Sequence, residues 1–227
     1  MSPLKLVLAV LALFGIGRLA FAAPSPENIV NYEFVPPAGQ GRVVIVLSGA
    51  FGPGMHSGFP AELAKVGYYA VLFDGRTFSA RRPGAGDDLR QVILRAQRSP
   101  HASPGKVAVI GFSAGGGGAL AYATSMSDLV AVVVAYYPVA NGFADREAVV
   151  RRWNVPTVML AGESDQSCRI EIVSALAASL KERGAPAQLV TYPGTGHDFN
   201  LSVGLNKSAA EDAWQRTLAA LRQHPGT

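Results

Sequence analysis

At 227 residues, 49% hydrophobic and 16% charged, the chain has the length of one domain and the composition of a globular protein rather than a disordered one. Its formal net charge of +4 is small, and no basic run exceeds the pairs Arg81-Arg82 and Arg151-Arg152, which argues against a nucleic-acid partner. A single cysteine, Cys168, excludes an internal disulfide framework and reads as a small residue at a helix start rather than a reactive thiol.

The chain opens on a targeting pattern. Met1 to Lys5 carries one positive charge, Leu6 to Ile16 is almost wholly apolar, and Ala20-Phe21-Ala22 fits a small-x-small cleavage site. Residues 1–22 therefore read as a secretory signal peptide, with Ala23 as the mature start of a single domain over 23–227. The alternative is an uncleaved membrane anchor, but a span needs ~20 apolar residues and Arg18 interrupts the run. The mature part keeps 18 basic against 16 acidic residues. It is expected to be periplasmic or secreted, with no stable membrane association. No cysteine at the cleavage site suggests a lipidated product.

Past this segment, apolar runs and amphipathic stretches alternate. Val43 to Leu47 predicts a buried strand, Pro60 to Val66 a short helix stopped by Gly67, and Tyr69 to Phe73 the next strand. Asp87 to Arg98 predicts a helix with Leu89, Val92, Ile93 and Ala96 on one face, its acids in the first turn and its arginines in the last. Val107 to Ile110 is a strand, the run after Gly118 starts a helix, and Leu129 to Tyr136 is another apolar strand. Pro156 to Ala161 follows, then a helix from Arg169 to Arg183, a strand from Ala187 to Tyr192 and a closing helix from Ser208 to Arg222. Strands apolar on both faces with helices between them imply an α/β fold, a mostly parallel sheet covered by helices on both faces. Val139 to Trp153 lies beyond the minimal alternation and is too short for a large lid, so an open site is expected.

The strand Val107 to Ile110 runs into Gly111-Phe112-Ser113-Ala114-Gly115, which fits G-x-S-x-G. A strand turning so tightly into a helix leaves one residue strained and exposed at the apex, and the flanking glycines avoid a collision of Cβ with neighbouring backbone. A serine there presents its hydroxyl to a base, which points to hydrolysis through a serine nucleophile. His197, in the loop after the last strand, is the candidate base, with His56 as its rival; chain order favours His197, because this arrangement runs serine, acid, histidine. Asp165, just past the strand Pro156 to Ala161, is the candidate orienting carboxylate, with Glu163 as the alternative. Two backbone N–H groups should hold the oxyanion. One comes from Ala114, the other from the loop Leu47-Ser48-Gly49-Ala50-Phe51-Gly52, with Ala50 preferred and Phe51 second.

Gly111-Phe112-Ser113-Ala114-Gly115-Gly116, Leu160-Ala161-Gly162-Glu163-Ser164-Asp165 and Tyr192-Pro193-Gly194-Thr195-Gly196-His197-Asp198-Phe199-Asn200 together resemble the dienelactone hydrolase family of α/β-hydrolases, over roughly residues 40–222. The family's namesakes carry a cysteine where Ser113 stands and a glutamate where Gly49 stands, so the resemblance is to esterase-type members. It implies cleavage of a small-molecule ester or lactone. The namesakes also hold a substrate carboxylate with arginines; Arg76, at the carboxyl end of a strand though not on their arginine position, is a candidate for substrate binding, with a solvated loop charge or a partner for Asp74 as the alternative. Phe51 and Tyr137 are further candidate substrate contacts, among pocket walls that include Met55, Phe59, Tyr136, Phe143 and Phe199. A peptidase of prolyl-oligopeptidase-like type and a non-catalytic binding protein on the same scaffold are the competing readings. The sequence displays no metal-ligand cluster and no dinucleotide fingerprint, and the glycines 115–118 lack the Lys-Ser/Thr ending of a phosphate loop, so no cofactor is implied. Nothing in it sets the oligomeric state.

Overall fold

Branched apolar residues alternate between two faces along each core strand, and both faces are covered. The computed structural model describes residues 26–201 and 206–227, so the expected signal peptide lies outside the described residues. Seven strands, β1 (Asn31–Phe34), β2 (Gly41–Leu47), β3 (Tyr69–Phe73), β4 (Ala102–Phe112), β5 (Val130–Tyr136), β6 (Thr157–Gly162) and β7 (Ala187–Tyr192), form one sheet in the order β1-β3-β2-β4-β5-β6-β7. All neighbours are parallel except β1, which runs antiparallel to β3. Six helices accompany the sheet: α1 (Gly58–Lys65), α2 (Ala85–Gln97), α3 (Ser113–Tyr122), α4 (Arg146–Arg152), α5 (Ile170–Glu182) and α6 (Lys207–Gln223).

Val44, Val46, Ile110, Val134 and Leu160 pack with Leu63 of α1 and Ala213 and Leu221 of α6. The alternate residues Ile45, Leu47, Val109, Val133 and Met159 pack on the opposite face with residues of α2, α3, α4 and α5. Each fully buried Val, Leu or Ile stabilises by roughly 1.5–3 kcal/mol, and a slip of one residue along a strand would exchange its two side-chain sets. The expected α/β architecture is therefore the observed one.

Three differences have local causes. The sequence reading misses β1, because Asn31-Tyr32-Glu33-Phe34 is an edge strand with only partial burial and no apolar run. β4 begins at Ala102 rather than Val107; its first residues are polar or exposed, and Lys106 N–H is held by the carbonyl of Gly226 in the tail. The stretch Val139 to Trp153 contains the short helix α4, whose N-cap Asp145 accepts from the N–H of Ala148 at 2.8 Å.

The sheet order sets the place of the site. β3 lies on one side of β2 and β4 on the other, so successive connections diverge between β2 and β4 and open a crevice at their carboxyl ends. Gly115 lets the two loops meet there. A Cβ on it would lie 2.5 Å from the Leu47 carbonyl oxygen and closer still to that of Ser48.

Candidate active site

β4 ends at Phe112 and α3 starts at the next residue, so Ser113 itself makes the turn. It adopts φ 49°, in the left-handed region that costs an L-residue roughly 1–2 kcal/mol. The turn is tight enough that a Cβ on Gly111 would meet the backbone of Gly115 and Gly116 at 2.5–2.7 Å. The strain lifts the serine side chain above the carboxyl end of the sheet, where loops from β6 and β7 approach it.

The loop after β6 carries Asp165, whose side chain is fully buried. One carboxylate oxygen, Oδ1, accepts the backbone N–H groups of Ser167 and Cys168, both at 2.8 Å. The other, Oδ2, lies 2.7 Å from His197 Nδ1. His197 comes from the loop after β7, and its Nε2 is 3.0 Å from Ser113 Oγ. With Nδ1–H donating to the buried carboxylate, Nε2 is left as the acceptor for the serine hydroxyl. The loops are seated by close backbone contact: a Cβ on Gly162 would lie 2.8 Å from the Gly196 carbonyl oxygen, and Ser164 N–H donates to Thr195 O at 3.0 Å.

The sequence profile of the dienelactone hydrolase family matches residues 75–225, a span that carries all three of these side chains. The chain belongs to the dienelactone hydrolase family. A Yersinia pestis protein provisionally named a carboxymethylenebutenolidase is 27% identical over 211 residues, covering 80% of this chain and 78% of its own. A Salmonella typhimurium protein of the same provisional name is 36% identical over 75 residues, 32% of this chain, and that match spans 28% of the relative's length. In fold, the chain is similar to a crystal structure from Klebsiella pneumoniae provisionally titled a dienelactone hydrolase. The TM-score is 0.70 at 22% identity, over 86% of this chain and 99% of that one.

Within this family scaffold the rival residues fall elsewhere. Glu163 is exposed and accepts from the Thr191 hydroxyl at 2.8 Å, away from His197. His56 is buried close to Ser113, its ring 4.5 Å from that of Phe112. Neither of its nitrogens forms a well-aligned hydrogen bond among the described residues. Burial lowers the His56 pKa, with the Gly52 backbone and Asp198 pulling the other way, so it stays neutral at pH 7. Gly49 keeps the space between them open: a Cβ there would lie 3.1 Å from His56 Cε1 and 3.5 Å from Ser113 Cβ.

The candidate oxyanion donors are Ala114, in the first turn of α3 where N–H groups lack intrahelical partners, and Ala50, at the exposed tip of the loop after β2. Phe51 is largely exposed beside Ala50. Ser48, which the sequence reading passed over, fixes the base of that loop: its buried hydroxyl accepts from Gly75 N–H at 3.1 Å and donates to Gly49 O at 3.3 Å. A buried serine beside a Gly-rich turn was the only signal available. Tyr137 is fully buried at φ 35°, its ring 4.6 Å from the His197 imidazole and its hydroxyl donating to Asn200 Oδ1 at 2.5 Å. It is a wall behind the imidazole, and burial holds its phenol protonated, well above the usual tyrosine range.

Arg76 pairs with Asp74. Its guanidinium grips Asp74 with Nε at 2.9 and 3.0 Å from the two carboxylate oxygens, and that pairing lowers the Asp74 pKa. A cavity of about 340 Å³ is lined by Ser79, Arg81, Ala114, Val139 and Asn141 and so adjoins the candidate oxyanion donor Ala114. A second cavity of about 340 Å³, lined by Met55, Phe59, Tyr136, Leu201 and Trp214, includes none of Ser113, Asp165, His197 or the oxyanion donors. Phe199 is buried in the core on one face of the sheet, and Phe143 packs against the core on the other. Cys168 precedes α5 as expected, yet its thiol faces Ser113, and burial together with Asp165 pushes it up to about 12. The sequence shows no metal-ligand cluster, but folding places ligand atoms of Asp165, Cys168 and His197 within 4.8 Å of one another. Those residues are 32 apart in sequence at their widest, across two loops, so no spacing motif could have revealed them.

Proposed function

We propose that this protein is an exported serine hydrolase that cleaves small to medium carboxylic esters or lactones through Ser113, His197 and Asp165. The observation that carries the reading is the unbroken chain of contacts from a buried carboxylate through an imidazole to a serine hydroxyl, at 2.7 and 3.0 Å. The second distance suits proton transfer to a positioned base, and the first holds that base in its tautomer.

In this mechanism His197 Nε2 takes the hydroxyl proton as Ser113 Oγ attacks the acyl carbon. The developing oxyanion is held by the N–H groups of Ala114 and Ala50, and Asp165 stabilises the imidazolium. His197 then gives its proton to the departing alkoxide, leaving an acyl-serine. A water molecule, deprotonated by the same imidazole, attacks the acyl-serine and restores the hydroxyl. For a lactone the leaving alkoxide stays tethered to the acyl group, so the product is one hydroxy acid. Family membership and relatives named for a butenolide hydrolase support the ester or lactone class. The apolar segment before Ala23 supports export.

The test is a fluorophosphonate probe followed by a panel of ester, lactone and peptide substrates. The wild type should be labelled on one serine and should turn over esters or lactones, while Ser113→Ala should lose labelling and at least ~10⁴ of kcat. Labelling that persists in Ser113→Ala, or turnover of peptides alone, would refute the reading. Export is tested by the N-terminal residue of the protein recovered from the producing cell, expected near Ala23 in the soluble periplasmic or secreted fraction.

A further inference from the structure

Cys168 has no part in that proton relay, yet it sits inside it. Asp165 and Cys168 lie three residues apart on the loop between β6 and α5, and His197 descends on them from the loop after β7. One ligand atom from each falls within 4.8 Å of the other two. Carboxylate, thiol and imidazole are the donor types of a zinc site, and together they fill three of four tetrahedral positions.

We propose that Asp165, Cys168 and His197 form an inhibitory site for a thiophilic divalent cation such as zinc or cadmium. Bonds of ~2.0–2.3 Å space tetrahedral ligands ~3.3–3.8 Å apart, so no pair need close by more than ~1.5 Å, and Asp165 Oδ2 with His197 Nδ1, now 2.7 Å apart, would open slightly if that nitrogen binds. The carboxylate is already fixed by the Ser167 and Cys168 amides on its other oxygen, which leaves Oδ2 for the cation. On coordination the thiol proton leaves to solvent. Thiolate and carboxylate then balance the double positive charge, as a buried cation requires. His197 is a fifth exposed at its side chain, which gives the ion a route from solvent, and the fourth position remains for water. Thiolate and imidazole select zinc or cadmium over magnesium or calcium, which prefer oxygen.

Inhibition follows whichever ring nitrogen binds. At Nδ1 the cation displaces the proton donated to Asp165, which moves to Nε2 and occupies the lone pair there, and at Nε2 the cation itself takes the lone pair that must accept the Ser113 proton. This consequence rests on the proposed serine mechanism, whereas binding itself does not.

The experiment therefore has two arms. In the first, cadmium is titrated into chelator-stripped wild type, Ser113→Ala, Cys168→Ser and Cys168→Ala, and the ultraviolet cadmium–thiolate charge-transfer band is recorded. Wild type and Ser113→Ala should show the band, and the two cysteine variants should not. In the second, ester hydrolysis is followed with zinc, magnesium or calcium, each variant normalised to its own metal-free rate. Wild type should be inhibited by zinc, reversed by chelator, at concentrations at least ~10-fold below those needed for Cys168→Ser. Absence of the band in wild type, or equal zinc sensitivity of wild type and Cys168→Ser, or equal inhibition by magnesium, would overturn the proposal. A preparation with the band but no ester hydrolysis would count against the serine mechanism and leave the metal site standing. Should the cysteine variants fail to fold, the band in wild type decides alone.

Discussion

Replacing Asp165 with asparagine isolates what the buried carboxylate does. Two amides, from Ser167 and Cys168, converge on Oδ1 at 2.8 Å, so the carbonyl oxygen of an asparagine must take that position. Its NH₂ group then faces His197 Nδ1 at the place where Oδ2 now lies, 2.7 Å away. A donor there forces Nδ1 to accept, and the imidazole proton moves to Nε2, where it points at the Ser113 hydroxyl. The imidazole is then present but in the wrong tautomer. Such a change costs ~10⁴ in kcat, about 5.4 kcal/mol of transition-state stabilisation.

Stability should change far less. Both amide hydrogen bonds survive, and the loss of one charge-assisted bond is worth ~1.5–3 kcal/mol, or several degrees in Tm. Asp165→Ala, which leaves Nδ1 free to keep its proton, should be no less active than Asp165→Asn. The assay is initial-rate hydrolysis of a p-nitrophenyl ester at saturating substrate, paired with a thermal melt. Retention of more than ~10% of wild-type kcat by Asp165→Asn, in folded protein, would refute the tautomer argument. So would an equal loss in Glu163→Gln, since that side chain is committed to the Thr191 hydroxyl on the outer strand.

Three further outcomes are expected. His197→Ala should lose activity on the scale of Ser113→Ala, whereas His56→Phe should lose less than ~10-fold, because His56 contacts Phe112 and Gly49 but takes no proton from Ser113; the reverse ranking in a kcat comparison would transfer the base to His56. The His56 pKa is depressed by burial, so below the ordinary histidine value the unfolded chain binds more protons than the folded one and stability falls as pH drops. Urea melts from pH 7 to pH 5 should show a smaller loss in His56→Phe than in wild type, and an equal loss would refute the assignment. Gly115→Ala places a Cβ against the Leu47 and Ser48 carbonyls and should cost ~3 kcal/mol or more together with activity, while Gly54→Ala, with nothing within 4 Å, should be close to neutral in the same melt.

Much of this architecture is set by local pattern. Val43–Leu47, Tyr69–Phe73 and Leu129–Tyr136 are apolar at every position or nearly so, and only strands buried on both faces need that, so the α/β class follows from composition along the chain. The G-x-S-x-G turn is partly local: a small residue at 111 is demanded by the backbone of Gly115 and Gly116, which makes the candidate nucleophile position legible, whereas Gly115 answers to the Leu47 and Ser48 carbonyls of a distant loop. The acid was placed by its offset from the end of β6, since loops at the carboxyl ends of parallel strands must converge. Such an argument names a loop, and the choice between Asp165 and Glu163 within it waited for the fold. Their carbonyl and amide environments differ because Thr195 and Gly196 press on Gly162 from another loop. β1 stayed hidden because an edge strand owes its existence to the neighbour it pairs with, here β3, and not to its own burial. The sequence leaves Arg76 between substrate binding, a solvated loop charge and pairing with Asp74; the turn after β3 closes its guanidinium on Asp74. Cys168 and His56 depended on tertiary structure most of all. Cys168 reads in the sequence as a small residue at a helix start and His56 as a rival base, and what they touch is decided by loops from β2, β4, β6 and β7 meeting at one end of the sheet. Sequence determines which segments bury and turn, because those are short-range demands on each side chain. Which side chains of different loops come within bonding distance is a property of the packed sheet, and no spacing along the chain records it.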